Sequence, residues 1–244
     1  MIEELERLAL KAGALIKQVY EQNSYHVETK ADKSPVTEAD LLSNRIIVEG
    51  LRDLGNYPYI SEEEAPQVYD VPPTRYWLID PLDGTKEFVA RREAFTVNIA
   101  LIENKAPVMA VVYAPMFDEL YSGSYGVYRE QGKVVKPKWQ NGRILLSSHS
   151  HPERDLQAFI DRNHITEHQR VGSSIKFCWV ASGRAHFYPR FSPLRVWDTA
   201  AGDGVARAAG CTLVDWKTGL PPEYEYSRAW TPAFNLCAPG VSVY

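Results

Sequence analysis

Apolar positions recur at helical spacing from the first residues onward. Ile2, Leu5, Leu8, Ala12, Leu15, Ile16 and Val19 share one face, with charged residues between them, and predict an amphipathic helix ending near Tyr20. The stretch from His26 to Pro35 is polar and closes on Ser34-Pro35, so it reads as a surface loop. Helical periodicity resumes in TEADLLSNRIIVEGL. There Leu41, Leu42, Ile46, Ile47 and Leu51 form the apolar face, and Thr37 with Asp40 has the spacing of a capping box.

The pattern then shortens to strands that end in acid. Tyr59 and Ile60 lead into Ser61, Glu62, Glu63 and Glu64, and the run from Trp77 leads into Asp80, Pro81, Leu82, Asp83, Gly84 and Thr85. Pro81 has no N–H for a sheet ladder, so pairing is expected to stop there, while Gly84 permits a backbone that a side chain forbids. FTVNIALIENKAPVMAVVY, from Phe95 to Tyr113, predicts two strands joined by a Glu-Asn-Lys turn. Shorter strands follow from Tyr121 to Val135, with Gly123, Gly126 and Gly132 assigned to turns. KPKWQNG, residues 136–142, reads as a junction, dividing the chain into an N-terminal lobe, 1–138, and a C-terminal lobe, 139–244.

Beyond the junction, Ile144 to Leu146 predicts a strand, and Glu153 to Asn163 has helical spacing at Leu156, Phe159 and Ile160. It runs into His164-Ile-Thr-Glu167-His168, a formal match to the inverted zinc-protease motif. Asn163, Ile165 and Thr166 disfavour helix there, and a zinc protease needs a third ligand, so the pair reads as two surface histidines. Gly123-Ser-Tyr-Gly126 is a poor phosphate loop because no helical pattern follows it. Asp198 stands before Ala200, Ala201, Val205, Ala208 and Ala209, with Gly210 behind them, and reads as the cap of a small-residue helix. The tail predicts a final strand near Val241 to Tyr244.

With 244 residues, 45% of them hydrophobic, the chain can bury a sizeable core. A net charge of −4 without a basic face argues against a nucleic-acid polymer as partner. Cys178, Cys211 and Cys237 are odd in number and widely spaced, which points to buried reduced thiols rather than disulfides or a zinc knuckle. The N-terminus lacks the basic start and unbroken apolar core of a signal peptide, and no run reaches membrane-spanning length. A cytoplasmic protein with no transmembrane segment is expected; a homodimer and peripheral association with the cytoplasmic face of the inner membrane are compatible with that.

Asp80 and Asp83 are two carboxylates held close on rigid backbone, and they repel unless a cation lies between them. Hard oxygen ligands with no Cys or His nearby favour Mg²⁺ or Mn²⁺ over zinc. Asp-Gly after a strand is also ordinary turn chemistry, Thr85 could cap a following helix, and three consecutive glutamates could be a solvated face.

The combination of Asp80-Pro-Leu-Asp-Gly-Thr85 with Glu62-Glu63 upstream and Trp197-Asp198 downstream resembles the magnesium-dependent, lithium-sensitive phosphatases related to inositol monophosphatase and fructose-1,6-bisphosphatase. KADKSPVTEAD, Lys30 to Asp40, is similar to a further motif of that family. Gly84-Thr85-Lys86-Glu87-Phe88 and GSSIKFCWVASGRAHFYPRF resemble its bacterial 3′(2′),5′-bisphosphate nucleotidase branch.

The resemblance implies an α/β fold, the layered αβαβα sandwich, and hydrolysis of 3′-phosphoadenosine 5′-phosphate to AMP with two or three Mg²⁺ ions, Mn²⁺ being an alternative. It implies that Glu62, Asp80 and the Leu82 carbonyl hold one metal and Asp80, Asp83 and Asp198 another. Asp40 and Thr85 would orient the attacking water, with Glu62 also catalytic. Gly84, Thr85, His149, Ser173, Lys176, Arg190 and Asp198 would contact the bisphosphorylated nucleotide. At Ser147 the chain departs from the branch, where Arg is common beside the residue corresponding to His149. An inositol or sugar phosphate monophosphatase, and a fold relative that regulates another macromolecule, are the alternative readings.

Overall fold

The computed structural model describes residues 1–22, 27–29, 35–149 and 154–243. The first helix, α1 (Ile2–Glu21), buries Leu5, Leu8, Ala12, Ile16 and Val19, the face that its periodicity marks. Two short strands, β1 (Val27–Thr29) and β2 (Pro35–Thr37), pair antiparallel where the polar composition predicts a loop. His26 and Lys30 to Ser34 lie outside the described residues. The second helix, α2 (Glu38–Leu54), opens on the predicted capping box between Thr37 and Asp40. Its buried face is rotated from the expected one, and Leu41 is 50% exposed. Ser43 and Asn44 are buried instead, because Ser43 Oγ donates to the Pro81 carbonyl (2.8 Å) and Asn44 Oδ1 accepts from Ser61 Oγ (2.7 Å).

A seven-stranded sheet follows in the order of its sequence, from β3 (Tyr59–Ser61) and β4 (Arg75–Asp83), past the short helix α3 (Thr85–Val89), to β5 (Thr96–Glu103) and β6 (Ala106–Ala114). It continues through β7 (Glu119–Ser124), β8 (Val127–Glu130) and β9 (Lys133–Val134). β3 and β4 run parallel and the later neighbours antiparallel. Pairing does not end at Pro81. A register shift between Asp80 and Asp83 carries the ladder past it to Asp83 opposite Thr96, so the proline sits in an irregularity where no donor is required.

Residues 135–143 contain no helix or strand and lead to a five-stranded sheet. Its members are β10 (Ile144–Ser147), β11 (Glu167–Arg170) beyond helix α4 (Leu156–Arg162), and β12 (Phe187–Arg190) beyond helix α5 (Ile175–Ala181). After the short strand β13 (Leu194–Arg195) and helix α6 (Val196–Ala208) come β14 (Thr212–Asp215), β15 (Trp230–Thr231) and β16 (Phe234–Cys237). The second sheet has the order β11-β10-β12-β16-β14, while β13 and β15 pair separately.

Strand alternation sorts the core into layers. Trp77, Ile79, Val97, Ile99 and Leu101 face α1 and α2, whereas Tyr76, Leu78, Ala100 and Ile102 join the apolar cluster of α5, α6 and the second sheet. Leu145 and Phe187 pack against α4 residues on the far side. The order is therefore helices, sheet, helices, sheet, helix, as the resemblance implies. The small residues of α6 allow close approach: a Cβ at Gly204 would lie 2.7 Å from that of Ala110. Gly123 belongs to this contact and not to a turn. It lies within β7, where a Cβ would come within 2.6 Å of Ala208 and 2.8 Å of the Gly204 carbonyl.

Three further expectations change. The helix within 153–163 begins only at Leu156, Glu153 being outside the described residues. His168 lies on β11, a strand, so the inverted zinc-protease spacing never shares a helix face; its ring hydrogen-bonds Ser147 Oγ at 2.8 Å. The last strand is β16, and residues 241–243 carry none, Tyr244 being outside the described residues. No described helix is long and apolar enough to cross a membrane.

Candidate metal centre and active-site cavity

The acidic residues meet because of strand parity and sheet order. Asp80 follows Leu78 by two positions on β4 and so emerges on the α6 side of the sheet. Ser61 pairs with Ile79 in the neighbouring parallel strand, and the Glu62 amide donates to the Ile79 carbonyl at 3.1 Å, which sets Glu62 beside Asp80. Asp198 comes from the other side. It stands in the first turn of α6, not at the cap, which is Arg195, and a carboxylate there is favoured by the helix dipole. Carboxylate oxygens of Glu62, Asp80 and Asp198 lie within 4.8 Å of one another.

The cluster fits a cation. Asp80 Oδ1 accepts the Leu82 amide at 3.2 Å, but Asp80 Oδ2 is buried without a hydrogen bond among the described residues, an arrangement that water or protein would ordinarily correct. Burial, followed by the charges of Glu62, Asp83 and Asp198, raises the Asp80 carboxyl well above the usual range. Asp198 is raised in the same way by burial, Asp83 and Glu62. Asp83 is pushed up to about 6 by burial, an effect opposed by Lys176 and by the Ser174 amide, which donates to Asp83 Oδ2 at 2.5 Å. Three crowded carboxylates that resist ionisation are stabilised by an ion that replaces their protons. Among the described residues the cavity is lined by no His or Cys, and oxygen donors alone suit a hard divalent cation.

Gly84 begins the wall beside these acids. Its φ of +95° is left-handed, and a Cβ would lie 3.1 Å from the Ala94 carbonyl, so glycine meets both the conformation and the space. Thr85 does not cap α3; Gly84 occupies the cap and Thr85 is the first helical residue. Thr85 Oγ1 lies 3.0 Å from Asp40 Oδ1 and 3.2 Å from the Leu82 carbonyl. Asp40 Oδ2 accepts from the Thr37 amide (2.8 Å) and hydroxyl (2.6 Å). Burial raises the Asp40 carboxyl, while the Thr37 and Thr85 bonds favour its charged form.

Glu62, Asp80, Leu82, Asp83, Gly84, Thr85, Ser173, Lys176, Arg190 and Asp198 all line one cavity. Asp40 lies behind it, fully buried, and reaches it through Thr85. His149 does not share this wall. It is exposed just past the end of β10 and lines an adjoining groove with Arg92, Phe117 and Arg170, while its neighbour Ser148 faces the main cavity.

Two wall residues lack any signal of their own in the sequence. Tyr188 is two positions before Arg190 on β12, hence on the same face, and its ring carries Lys176 Nζ at 5.1 Å. Ser174 holds Asp83 through its amide and Asn98 Oδ1 through its hydroxyl at 2.6 Å. Lys176 is buried, and burial lowers its pKa to about 8, with Asp83 acting in the opposite sense.

Residues 1–235 match the inositol monophosphatase family. The 3′(2′),5′-bisphosphate nucleotidase CysQ of Escherichia coli (strain K12) is 42% identical, with 100% of each chain covered. The crystal structure of CysQ from Bacteroides thetaiotaomicron superposes with a TM-score of 0.80 at 34% identity, covering 95% of this chain and 94% of that one. The extragenic suppressor protein suhB from Bartonella henselae follows at 0.77 and 26%, covering 89% and 87%.

Proposed function

The chain belongs to the inositol monophosphatase family, and from that premise we propose that it is a cytoplasmic, magnesium-dependent 3′(2′),5′-bisphosphate nucleotidase that converts 3′-phosphoadenosine 5′-phosphate and water to AMP and phosphate. Uncatalysed phosphate-monoester hydrolysis is so slow that enzymes of this kind supply up to about 10²¹-fold acceleration. Glu62, Asp80 and the Leu82 carbonyl would hold one ion and Asp80, Asp83 and Asp198 another, supplying charge that offsets the phosphate dianion and acidifies water.

The remaining work belongs to side chains. Asp40, whose Oδ2 takes both donors of Thr37, accepts the Thr85 hydroxyl proton at its Oδ1. The Thr85 oxygen then keeps its lone pairs for a proton of the attacking water, which fixes that water's orientation. The backbone amides of Gly84 and Thr85 border the 3′-phosphate, and the P–O3′ bond breaks as the new P–O bond forms on the opposite side. Ser173, Lys176 and Arg190 take the 5′-phosphate, the arginine as a planar fork and the lysine as a compact charge. Asp198 also meets the ribose, and His149, in the adjoining groove, would touch only a part of the nucleotide that extends beyond the cavity.

The observation that carries this reading is the placement of two buried cations, Lys176 and Arg190, on the same cavity wall as the acidic cluster. A substrate with two phosphates uses both. Turnover of 3′-phosphoadenosine 5′-phosphate compared with inositol 1-phosphate in Mg²⁺ tests it: a clear preference for the nucleotide is expected, and a preference for inositol 1-phosphate overturns it.

A further inference from the structure

A triangle of polar groups lies behind the cavity wall, against the strand next to Asp80 and Asp83. Asn98 of β5 stands opposite Asp80 of β4, and Thr96 stands opposite Asp83. Both are an even number of residues from Ala100, so they emerge on the same α5 and α6 side of the sheet as Asp80. Both are fully buried. Asn98 Oδ1 accepts from Ser174 Oγ at 2.6 Å and from Thr96 Oγ1 at 3.1 Å, and the two hydroxyl oxygens are 2.7 Å apart. Asn98 Nδ2, also buried, has no partner among the described residues, so the side chain is anchored through Oδ1.

Ser174 directs both of its donors at these strands. It occupies the N-cap of α5, where a serine hydroxyl ordinarily accepts an amide of its own helix, but it makes no such bond here. The hydroxyl turns to β5 instead, while the amide donates to Asp83 Oδ2 on β4 at 2.5 Å. The chain reaches this position through Ser173, whose φ of +47° is left-handed and unfavourable for a residue with a Cβ. A helix start without its usual cap, entered through a strained residue, is maintained only by the contacts around it. Ahead of it, Gly172 lies so close to the Ala94 carbonyl that a Cβ would come within 2.8 Å.

What the triangle holds in place is the end of the segment that carries Ser173 and Lys176. Lys176 Nζ donates back to the Ser173 and Val171 carbonyls, which ties the lysine to the loop. Loop and lysine share the cavity wall with Glu62, Asp80 and Asp83. We infer that Ser174, clamped by Asn98 and Thr96, is a positioning residue that fixes the start of α5 against β4 and thereby sets the spacing between the two phosphate sites of a bisphosphorylated substrate. The clamp stands on the bonds alone, whereas the spacing rests on the nucleotidase reading above. A substrate with one phosphate has no spacing to match and does not sense the clamp.

Ser174→Ala deletes the hydroxyl and retains the amide that holds Asp83, and two measurements on the full chain separate clamp from spacing. In the metal-free protein, amide hydrogen exchange across residues 172–178 should be about tenfold faster than in the parent, the equivalent of one lost hydrogen bond, with β6 unchanged. In Mg²⁺, the ratio of kcat/KM for 3′-phosphoadenosine 5′-phosphate to that for adenosine 3′-phosphate should fall about tenfold, through KM for the bisphosphate. Turnover of adenosine 3′-phosphate should stay close to the parent's. Asn98→Ala leaves Thr96 beside the hydroxyl and should lower the ratio by about threefold; combined with Ser174→Ala it should add nothing further. Unchanged exchange overturns the clamp, whatever the substrate. Faster exchange with an unchanged ratio overturns the spacing, as does an equal loss on both substrates. Losses that multiply in the double variant overturn the link between Asn98 and Ser174. A parent chain with no preference for the bisphosphate overturns the nucleotidase reading and the spacing with it, and the exchange rates then decide the clamp.

Discussion

Thr85 Oγ1 lies 3.0 Å from Asp40 Oδ1, across 45 positions of sequence. The other oxygen of the same carboxylate takes both donors of Thr37 and closes the start of α2. One buried acid thus ends a helix and aims a hydroxyl into the cavity, and capping competes with neither role because each uses a different oxygen.

Asp40→Asn should separate the two duties. The amide retains a cap but presents Thr85 with a group that no longer demands its proton. A fall in kcat of about 10²- to 10⁴-fold is expected, the range typical of a lost acid–base partner, with KM little changed. Thermal melts should show a loss of only about 1 kcal/mol. A proportionate rise in KM in steady-state kinetics would contradict the assignment.

Asp80→Asn removes one of the crowded buried charges. The metal-free variant is expected to melt higher than the metal-free parent, since a carboxylate raised by burial and by like charges opposes folding when ionised. The stabilisation by Mg²⁺ and the phosphatase activity should both disappear. Scanning calorimetry with and without Mg²⁺ measures the first two effects together.

The pH dependence of the metal-free protein follows in sign from the same groups. Asp83 titrates at about 6 in the folded chain, with Asp80 and Asp198 also raised, against about 3.9 when unfolded. Between those values the folded state binds more protons. Metal-free stability is therefore greatest below about pH 4 as far as these groups are concerned; the Asp83 contribution is lost as pH rises through about 6, and those of Asp80 and Asp198 fall in the same direction. Mg²⁺ replaces the protons, so the melting shift it produces should grow from pH 5 to pH 8, as thermal melts across that range would record.

Lys176→Met and Arg190→Gln test the second phosphate site. Each should raise KM for 3′-phosphoadenosine 5′-phosphate by about 10- to 100-fold, the cost of one charge-assisted hydrogen bond, and change turnover of adenosine 3′-phosphate far less. Parallel kinetics on the two substrates separate loss of a phosphate contact from general damage, which would depress both.

Gly123→Val tests a packing contact remote from the carboxylates. The added side chain would enter space taken by Ala208 and the Gly204 carbonyl, 2.6 and 2.8 Å from the Cβ, where α6 crosses β7. A loss of about 1–3 kcal/mol in denaturant unfolding is expected.

Much of the layering can be read along the chain. The face of α1, the strands around Trp77 and Ile99, and the capping box at Thr37 each arise from residues a few positions apart, and local spacing reports local structure. The same reasoning misplaces Gly123, because a glycine left bare for a helix from elsewhere looks identical to a glycine needed for a turn. It also rotates α2, since the attraction of Ser43 for the Pro81 carbonyl lies 38 positions away.

The sequence by itself determined the chemical character of this protein: oxygen donors following apolar strands, cations in a later segment, and motifs that resemble a metal-dependent phosphatase family. Only the tertiary structure decided which of those groups meet. Strand parity turns Asp80 towards α6, the parallel pairing of β3 with β4 brings Glu62 alongside it, and the first turn of α6 supplies Asp198. It also separated His149 from Lys176 and Arg190. The reason is physical: side-chain type sets what an atom can bind, but the distance between atoms from different elements is set by how sheets and helices pack.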